Sequence, residues 1–176
     1  MKFTNLVFLI IFFCSCTQQE QKKYQNGNYF DIKNYFEQEA NRLTPLHLMV
    51  NKTVSIDGKS EERKIKISDF NKELNIFISS DINKASWRGE FKVNKRENET
   101  TYTTENIKIP VKNVRIQFDN NAVKSIRIVV KTDNILYHST DTLNYIPDSL
   151  YQIKKTQKIK LLKKKEYNIV GRFISS

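Results

Sequence analysis

Residues 111–131 read VKNVRIQFDNNAVKSIRIVVK, and this stretch decides the fold class. On each side of its DNN tripeptide, apolar and polar residues alternate with the two-residue period of a half-buried β-strand. Asp and Asn are typical of tight turns, so the tripeptide is expected to join two antiparallel strands. The stretch therefore predicts a β-hairpin with strands at 111–118 and 123–131.

Similar alternation recurs over most of the chain. An earlier pair of runs flanks a turn signal at Asp57-Gly58, and a lysine-rich turn at 163–166 is predicted to close a final hairpin. We predict about nine strands: 48–56, 63–67, one opening at Phe91, one opening at Tyr102, 111–118, 123–131, 135–145, 150–162 and 167–173. Consecutive hairpins favour an antiparallel meander, and a curved sheet or half-barrel is one form it could take.

Two segments instead show the three- and four-residue spacing of amphipathic helices. The first runs over 29–43, with Asp31 as a candidate N-cap and a Thr-Pro dipeptide as its stop. The second follows a Ser-Asp cap at 68–69. Their apolar positions are Ile32, Tyr35, Phe36, Ala40 and Leu43 in the first, and Phe70, Leu74, Phe77 and Ile78 in the second. The whole pattern predicts an α+β fold, with both helices packed on one face of an antiparallel sheet.

Four aromatic residues, Phe36, Phe70, Phe77 and Trp87, form a candidate core or ligand cluster. Aromatic side chains on the apolar face of a helix are typical of a packed core, and Trp87 is expected to anchor the start of a strand. If these side chains left space between sheet and helices, they would line a pocket for an apolar ligand, with Trp87 as an exposed platform. The sequence leaves both interpretations open.

The first residues carry an export signal. Lys2 precedes an unbroken apolar run, LVFLIIFF at 6–13, whose length fits the core of a secretory signal. A transmembrane helix needs about 20 apolar residues, and this chain turns polar at Ser15. We expect residues 1–15 to be a signal peptide and 16–28 a polar tether, followed by a single domain at 29–176.

The stretch FCSC at 13–16 resembles the lipobox of bacterial lipoproteins, in which a small residue precedes a lipid-modified cysteine that becomes the new N-terminus. Ser15 and Cys16 take these two positions, while Phe13 stands where the pattern usually has an aliphatic residue. The resemblance implies acylation of Cys16 and attachment to a membrane. Cys14 is the alternative acceptor, and an ordinary cleaved signal is the alternative leader.

The segments FDIKNYFEQEANRL at 30–43 and SSDINKASWRGEF at 79–91 resemble those of small uncharacterised lipoproteins of Bacteroidota bacteria, of the flavobacterial type. This resemblance implies a place in the cell envelope and assigns no site. Surface-export signals in that group tend to place several acidic residues after the cysteine, whereas only Glu20 is acidic within 17–21. We therefore expect an outer-membrane lipoprotein facing the periplasm, with the cell surface as the alternative.

The formal net charge of +11 invites anionic partners. Anionic lipid, polysaccharide and simple compositional drift toward lysine remain open, whereas an exported chain without a recognition module is not expected to bind nucleic acid. The strongest local signal is a set of lysines near the C-terminus: Lys154, Lys155, Lys158, Lys160, Lys163, Lys164 and Lys165. On a strand, Lys158 and Lys160 would lie opposite Ile159 and Leu161, giving a basic outer surface that is either solvated or in contact with anionic headgroups.

We find no catalytic, metal-binding or nucleotide-binding motif in the sequence. His47 and His138 are far apart and have no cysteine or metal-spaced carboxylate beside them. Glu37 and Glu39 are too close in sequence to share one face of a helix, so both are expected in solvent. The sequence therefore predicts no enzyme activity, no metal and no cofactor.

Asp141-Thr142-Leu143 and Asp148-Ser149-Leu150 resemble the acceptor pattern for O-glycosylation in Bacteroidota envelope proteins. This resemblance implies Thr142 and Ser149 as candidate glycan sites, although Ser149 could simply belong to a turn.

The expected function is that of a lipid-anchored domain that binds a partner, either an envelope protein or a polymer. A periplasmic carrier or sensor, with a lipid or another hydrophobic ligand in a cavity between sheet and helices, is the alternative.

Overall fold

The computed structural model describes residues 29–174, which include nearly all of the predicted domain. The signal peptide, the tether with Cys14 and Cys16, and residues 175–176 lie outside the described residues. The helices are α1 (Ile32–Leu43), α2 (Phe70–Glu73) and α3 (Asn75–Ile78). The strands are β1 (Met49–Ile56), β2 (Lys59–Lys66), β3 (Lys92–Arg96), β4 (Glu99–Thr103), β5 (Val111–Asp119), β6 (Ala122–Asp133), β7 (Tyr137–Ile146), β8 (Leu150–Ile159) and β9 (Lys165–Phe173).

Within residues 29–174, these nine strands form one open sheet in the order β2-β1-β9-β8-β7-β6-β5-β4-β3. Every neighbouring pair is antiparallel. From β3 to β9 the strands follow one another as a meander, and the β1–β2 hairpin then joins β9 through β1. The predicted α+β class with an antiparallel sheet is confirmed.

The predicted hairpin turns are confirmed where the sequence carried the strongest turn signals. Asn120 and Asn121 between β5 and β6 have φ values of 48° and 67°, and Asp57 and Gly58 between β1 and β2 have 49° and 85°. Two successive residues with positive φ are the mark of the tight turns whose twist matches that of paired strands. Asn, Asp and Gly are the residues that tolerate this backbone.

Helix α1 begins and ends close to its predicted limits. The Asp31 side chain caps its first turn by accepting a hydrogen bond from the Asn34 backbone N–H at 2.9 Å. At the other end, the Thr44 hydroxyl donates to the Ala40 carbonyl at 2.8 Å, and Pro45 lies in a short 3-10 turn, Thr44–Leu46, that leads into β1. The fully buried residues Ile32, Phe36, Ala40 and Leu43 recur at helical spacing and face the sheet.

The second predicted helix is wrong in detail, because the structure splits it into α2 and α3. Leu74 breaks the helix with φ −94° and ψ 7°, outside the α-helical region. The apolar face is nevertheless as predicted, since Phe70, Leu74 and Phe77 are fully buried. Packing of these three side chains against the sheet, and not helix propensity, is therefore what holds two such short helices in place.

Several strand limits also differ from prediction, among them the start of β2, which lies at Lys59 and not at position 63. Strand β8 ends at Ile159 and β9 begins at Lys165, so the turn starts well before the predicted lysine cluster. Leu161 consequently lies in the turn, with φ 69°, and not on an apolar inner surface of a strand. Trp87 does not enter a strand but ends a 3-10 turn, Ala85–Trp87, upstream of β3.

The two faces of the sheet differ in polarity, as antiparallel sheets with one covered face usually do. The helix-side face carries fully buried apolar side chains from the central strands: Val114, Ile116, Ile128, Leu143, Tyr145 and Tyr151. The opposite face, the outer face, presents a polar row formed by paired residues: Arg115, Arg127, Asn144 and Gln152. The core therefore lies between the helices and one face of the sheet.

Candidate binding surfaces

The predicted aromatic cluster belongs to the packed core. The rings of Phe36 and Phe77 lie 4.8 Å apart between centroids, and Phe36 also meets Tyr145 edge-on at 5.0 Å. Phe70 packs farther along the sheet, 5.9 Å from Phe173. All three phenylalanines are fully buried, so these side chains fill the space between helices and sheet at this point.

Trp87 differs from the three phenylalanines because its side chain is only partly buried. Its ring packs against the edge of the core, and the Lys84 ammonium lies 4.3 Å from the ring centroid. A cation over an indole face is a favourable arrangement on a protein surface. The structure therefore brings Phe36 and Phe77 into direct contact and places Trp87 at the periphery.

Buried tyrosines tie the helices to the sheet by donating hydrogen bonds to carboxylates on α1 and α2. Tyr145 donates its hydroxyl hydrogen to Glu39 at 2.5 Å, and Tyr151 donates its own to Glu73. Burial, followed by these hydrogen bonds, raises the pKa of both tyrosines well above the ordinary value of 10. Both phenols therefore stay neutral in the folded protein.

The prediction that Glu39 lies in solvent is wrong, because its side chain is mostly buried. Arg42 donates two hydrogen bonds to it at 2.8 and 2.9 Å and a further one to Asp148 at 2.8 Å. These hydrogen bonds, the one to Glu39 above all, raise the pKa of Arg42. Glu39 lies three residues after Phe36, a spacing that places it beside the buried face, and this was the signal available in the sequence.

Beyond the helices, the same face of the sheet is left partly uncovered. Strand pairing places Val54 beside Ile169 and Ile153, and Ile56 beside Tyr167 and Lys155, all on the helix side. Val54 and Ile56 are exposed and the others are half-buried. We call this surface the open face; it comprises Val54, Ile56, Ile153, Lys155, Tyr167 and Ile169.

An ion pair borders the open face. Lys155 Nζ lies 3.6 Å from Asp141 Oδ2, and the buried Ser139 hydroxyl donates to Asp141 Oδ1 at 2.5 Å. Burial by itself lowers the pKa of Lys155, but the charge of Asp141 and an interaction with Tyr137 outweigh it, so the net pKa is raised. Lys155 therefore keeps its charge, and the open face presents a polar anchor beside apolar side chains.

The open face also borders a hollow at the β1–β2 edge of the sheet. The hollow has a volume of about 720 Å³ and is lined by Val54, Ile56, Asp57, Lys59, Ser60 and Glu61. A smaller hollow of about 390 Å³ lies near the β3–β4 turn and is lined largely by charged and polar residues, among them Arg96, Glu97, Glu99 and Lys124. Of these two hollows, the larger therefore has the more apolar lining, which Val54 and Ile56 supply.

The seven predicted lysines do not form one patch. Strand pairing places Lys154 and Lys158 on the outer face, opposite Asn168 and His138, whereas Lys155 lies on the helix side. Lys160, Lys163 and Lys164 lie in the β8–β9 turn, and Lys165 opens β9. The charge that looked continuous in sequence is thus divided between two faces and one end of the sheet.

The candidate glycan sites occupy different settings. Thr142 lies on the outer face of β7, half-buried beside Val129 and Lys154, and Ser149 is exposed in the β7–β8 turn. The Ser149 backbone N–H donates to the Ile146 carbonyl at 3.2 Å, as expected for a turn residue. Both hydroxyls therefore lie away from the packed core.

Among residues 29–174, no group of three metal-binding side chains comes together. His47 follows the 3-10 turn with φ 50°, and His138 lies on the outer face with its Nδ1 2.5 Å from Asp133. No helix within these residues has the length and apolar character needed to cross a membrane.

Comparisons with known proteins add no assignment: no family model matches the chain, and neither curated proteins nor solved structures give a significant match.

The ion-pair roles of Asp141 and Lys52, and the interaction of Tyr137 with Lys155, were not identified from the sequence. Asp141 lies two and four positions before the buried residues Leu143 and Tyr145, so the two-residue period of a strand places it on the same face. Lys52 likewise follows Val50 by two positions, and its Nζ reaches Glu73 at 2.5 Å. A charged residue in phase with buried neighbours is the signal that would have identified both Asp141 and Lys52.

Proposed function

We propose that this chain is a lipid-anchored lipoprotein of the bacterial cell envelope whose folded domain works by binding and not by catalysis. Support for the anchor is the lipobox-like FCSC stretch, which makes Cys16 the acylated residue. An outer-membrane location facing the periplasm fits the presence of only one acidic residue, Glu20, at positions 17–21. Proteolysis of intact cells tests that location, because cleavage by an added protease would place the domain on the cell surface instead.

The observation that carries the binding role is the open face. Its side chains continue the apolar pattern of the core, yet Val54 and Ile56 remain exposed while Leu143, in the same row of the sheet as Val54, is fully buried. Protein interfaces usually have an apolar centre and a polar rim, and the open face has this layout, with apolar side chains bordered by the Lys155–Asp141 ion pair. We therefore favour an envelope protein as the partner over a polysaccharide, which presents few apolar groups.

A second candidate function is that of a carrier or sensor for a hydrophobic ligand. The fully buried Phe36, Phe70 and Phe77 argue against the expected cavity between sheet and helices. What favours a ligand is the hollow of about 720 Å³ beside Ile56, which falls within the range of small-molecule sites. A ligand there would place its apolar part on Val54 and Ile56 and its polar part near Lys59 or Glu61.

Native mass spectrometry of the protein extracted from its own envelope under mild conditions tests these proposals. The wild-type chain is expected to carry acyl chains on Cys16, and Cys16→Ala is expected to lack them and to leave the membrane fraction. Acylation that persists in Cys16→Ala but disappears in Cys14→Ala would move the anchor to Cys14. A chain without any acyl group would refute the lipoprotein proposal.

The same spectra address the open face through a matched pair of variants. Ile56→Glu alters the open face, whereas Val93→Glu alters an apolar side chain of nearly equal exposure on edge strand β3. A bound protein that is lost only in Ile56→Glu supports the interaction role. A bound lipid-sized species that stays with Cys16→Ala and is lost in Ile56→Glu supports the carrier. Species that bind equally to both variants would contradict a role for the open face.

A further inference from the structure

At one end of the sheet, two hairpin turns meet. The β6–β7 turn spans residues 134–136 and the β8–β9 turn spans 160–164. The Lys160 backbone N–H donates to the Leu136 carbonyl at 2.9 Å, which joins the two turns directly. They lie at the end of the sheet opposite the β7–β8 turn and the 3-10 turn that precedes β1.

Both turns display aliphatic side chains to solvent. The exposed fractions are 86% for Ile135, 62% for Leu136, 97% for Leu161 and 61% for Leu162. We call these residues the apolar tip. Turns normally carry small or polar residues, and four large aliphatic side chains at one end form a surface that a soluble domain rarely exposes without a use.

The backbone of Leu161 shows that this exposure is built into the turn. Its φ of 69° is in the left-handed region, which favours Gly or Asn and is uncommon for Leu. Leu162 closes the turn by donating its N–H to the Ile159 carbonyl at 3.0 Å. The turn therefore holds the Leu161 side chain away from the sheet.

Positive charge flanks the apolar tip on its β8–β9 side. Lys158, Lys160, Lys163 and Lys165 are exposed in or beside the β8–β9 turn. The acidic residues at this end are engaged: Glu166 pairs with Lys164 at 2.7 Å, Asp133 pairs with His138 at 2.5 Å, and the Asp57 carboxylate accepts from the Glu166 backbone N–H at 2.8 Å. An aliphatic tip flanked by lysines is complementary to an anionic lipid surface, which offers acyl chains below and negative headgroups above.

We propose that the apolar tip is a membrane-docking site that inserts Leu161, Leu162, Ile135 and Leu136 into the interface of an anionic bilayer while the flanking lysines contact headgroup phosphates. This contact goes beyond the Cys16 anchor and does not depend on it. The acyl chains on Cys16 would hold the chain on the membrane, and the tip would add a second contact that fixes the orientation of the domain. The domain would then be held in one orientation on its membrane, with the sheet end toward the lipid.

The chain has enough length for both contacts to reach one membrane. Tyr29 packs edge-on against Tyr102 in β4, which lies in the same row of the sheet as Ile128 in β6. From Ile128, the tip is about 20–25 Å away at 3.3 Å per residue. Residues 16–28 could span at most about 45 Å when extended, so the tether length permits the tip to touch the bilayer that holds Cys16.

Site-resolved tryptophan quenching in the full anchored protein tests this proposal. In a Trp87→Phe background, Leu161→Trp places the reporter at the tip, and Leu46→Trp places it at the opposite end of the sheet, where the replaced leucine is 56% exposed. The protein is added to vesicles of brominated phosphatidylcholine, with or without an equal amount of brominated phosphatidylglycerol. Strong quenching at position 161 in the anionic vesicles, without quenching at 46, is the expected result.

Charge reversal supplies the second arm. Lys163→Glu with Lys165→Glu is expected to weaken binding to anionic vesicles by about tenfold or more, because each lysine near such a surface contributes about a fivefold factor. Lys95→Glu with Lys124→Glu makes the same change in net charge at exposed sites away from the tip and is expected to have a much smaller effect.

The outcomes separate this proposal from the one about the anchor. Attachment to neutral vesicles reports the acyl group alone. A protein that does not attach to them would count against Cys16 acylation and would not affect the proposal about the apolar tip. Equal quenching at positions 161 and 46, or quenching at 161 that ignores phosphatidylglycerol, would overturn the tip as an anionic-membrane site. A protein partner that protects position 161 while the bilayer does not would overturn it as well.

Discussion

Two halves of the helix-side face are built from the same strands, yet one is a packed core and the other is largely open. On β7, Tyr145 is fully buried, whereas Asp141, about 13 Å away along the strand, forms an ion pair. On β8, Tyr151 is fully buried and Lys155 is only half-buried. The strands alternate in the same way throughout. What differs is the presence of α1, α2 and α3 above one half, so coverage and not strand pattern sets which apolar surface remains for binding.

The largest expected effect is the difference in stability lost when a large side chain is replaced by alanine in the covered half and in the open half. Phe36→Ala should lower the free energy of unfolding by about 3–5 kcal/mol, because it leaves a cavity among packed rings. Ile56→Ala on the open face should cost less than about 1 kcal/mol, since part of that side chain is already in water. Urea denaturation of both variants measures the difference, and comparable losses would show that the open face is part of the core.

Gly171 provides the next test, because the Tyr151 ring packs directly against it in the covered half. A Cβ at this position would lie 2.1 Å from the Tyr151 ring, which packs over the glycine from the paired strand. Gly171→Ala should therefore cost about 1–3 kcal/mol through overpacking. Adding Tyr151→Ala makes room, so the double variant should lose less stability than the two single variants summed. Strict additivity would contradict this packing.

Tyrosine hydroxyls test how firmly the helices are held to the sheet. Tyr145→Phe and Tyr151→Phe should each cost about 1–2 kcal/mol, because a buried carboxylate loses a donor. Since the folded pKa of both tyrosines is raised, their stabilisation is full below the unfolded pKa of 10 and is lost as pH rises beyond it. Denaturation between pH 8 and 11 should show this loss in the wild-type protein and a shallower one in the Phe variants.

The smallest effect is expected on the open face itself. Lys155→Met should change stability by no more than about 1 kcal/mol, because this partly exposed ion pair is screened by solvent. A thermal unfolding measurement checks this, with Lys52→Met as the comparison, since Lys52 pairs with Glu73 beneath the helices. A larger cost for Lys155→Met than for Lys52→Met would mean that the Asp141 ion pair is structural.

Particular residues show how far the sequence could be taken. The helix cap at Asp31 and the tight turns at Asn120 and Gly58 could be predicted, because each depends only on the residue's own backbone or its immediate neighbours. The break at Leu74 and the early end of β8 could not be predicted, since propensities do not distinguish one continuous helix over 70–78 from two short ones, or a strand from a turn that keeps the same alternation of apolar and polar residues. The burial of Glu39 and Asp141 could in principle have been predicted, because both lie at helix or strand spacing from buried residues.

The sequence by itself determined the strand period, the tight turns, α1 and the side of each strand that faces the core, because all of these follow from spacing over a few residues. Only the tertiary structure decided that β1 joins β9, that Glu39 meets Tyr145 across 106 positions, and that Leu136 and Lys160 bring two turns together. Such contacts join residues that are distant in sequence, so they depend on how the helices and strands of the whole domain pack together. The open face and the apolar tip result from that packing, and no local sequence pattern predicts them.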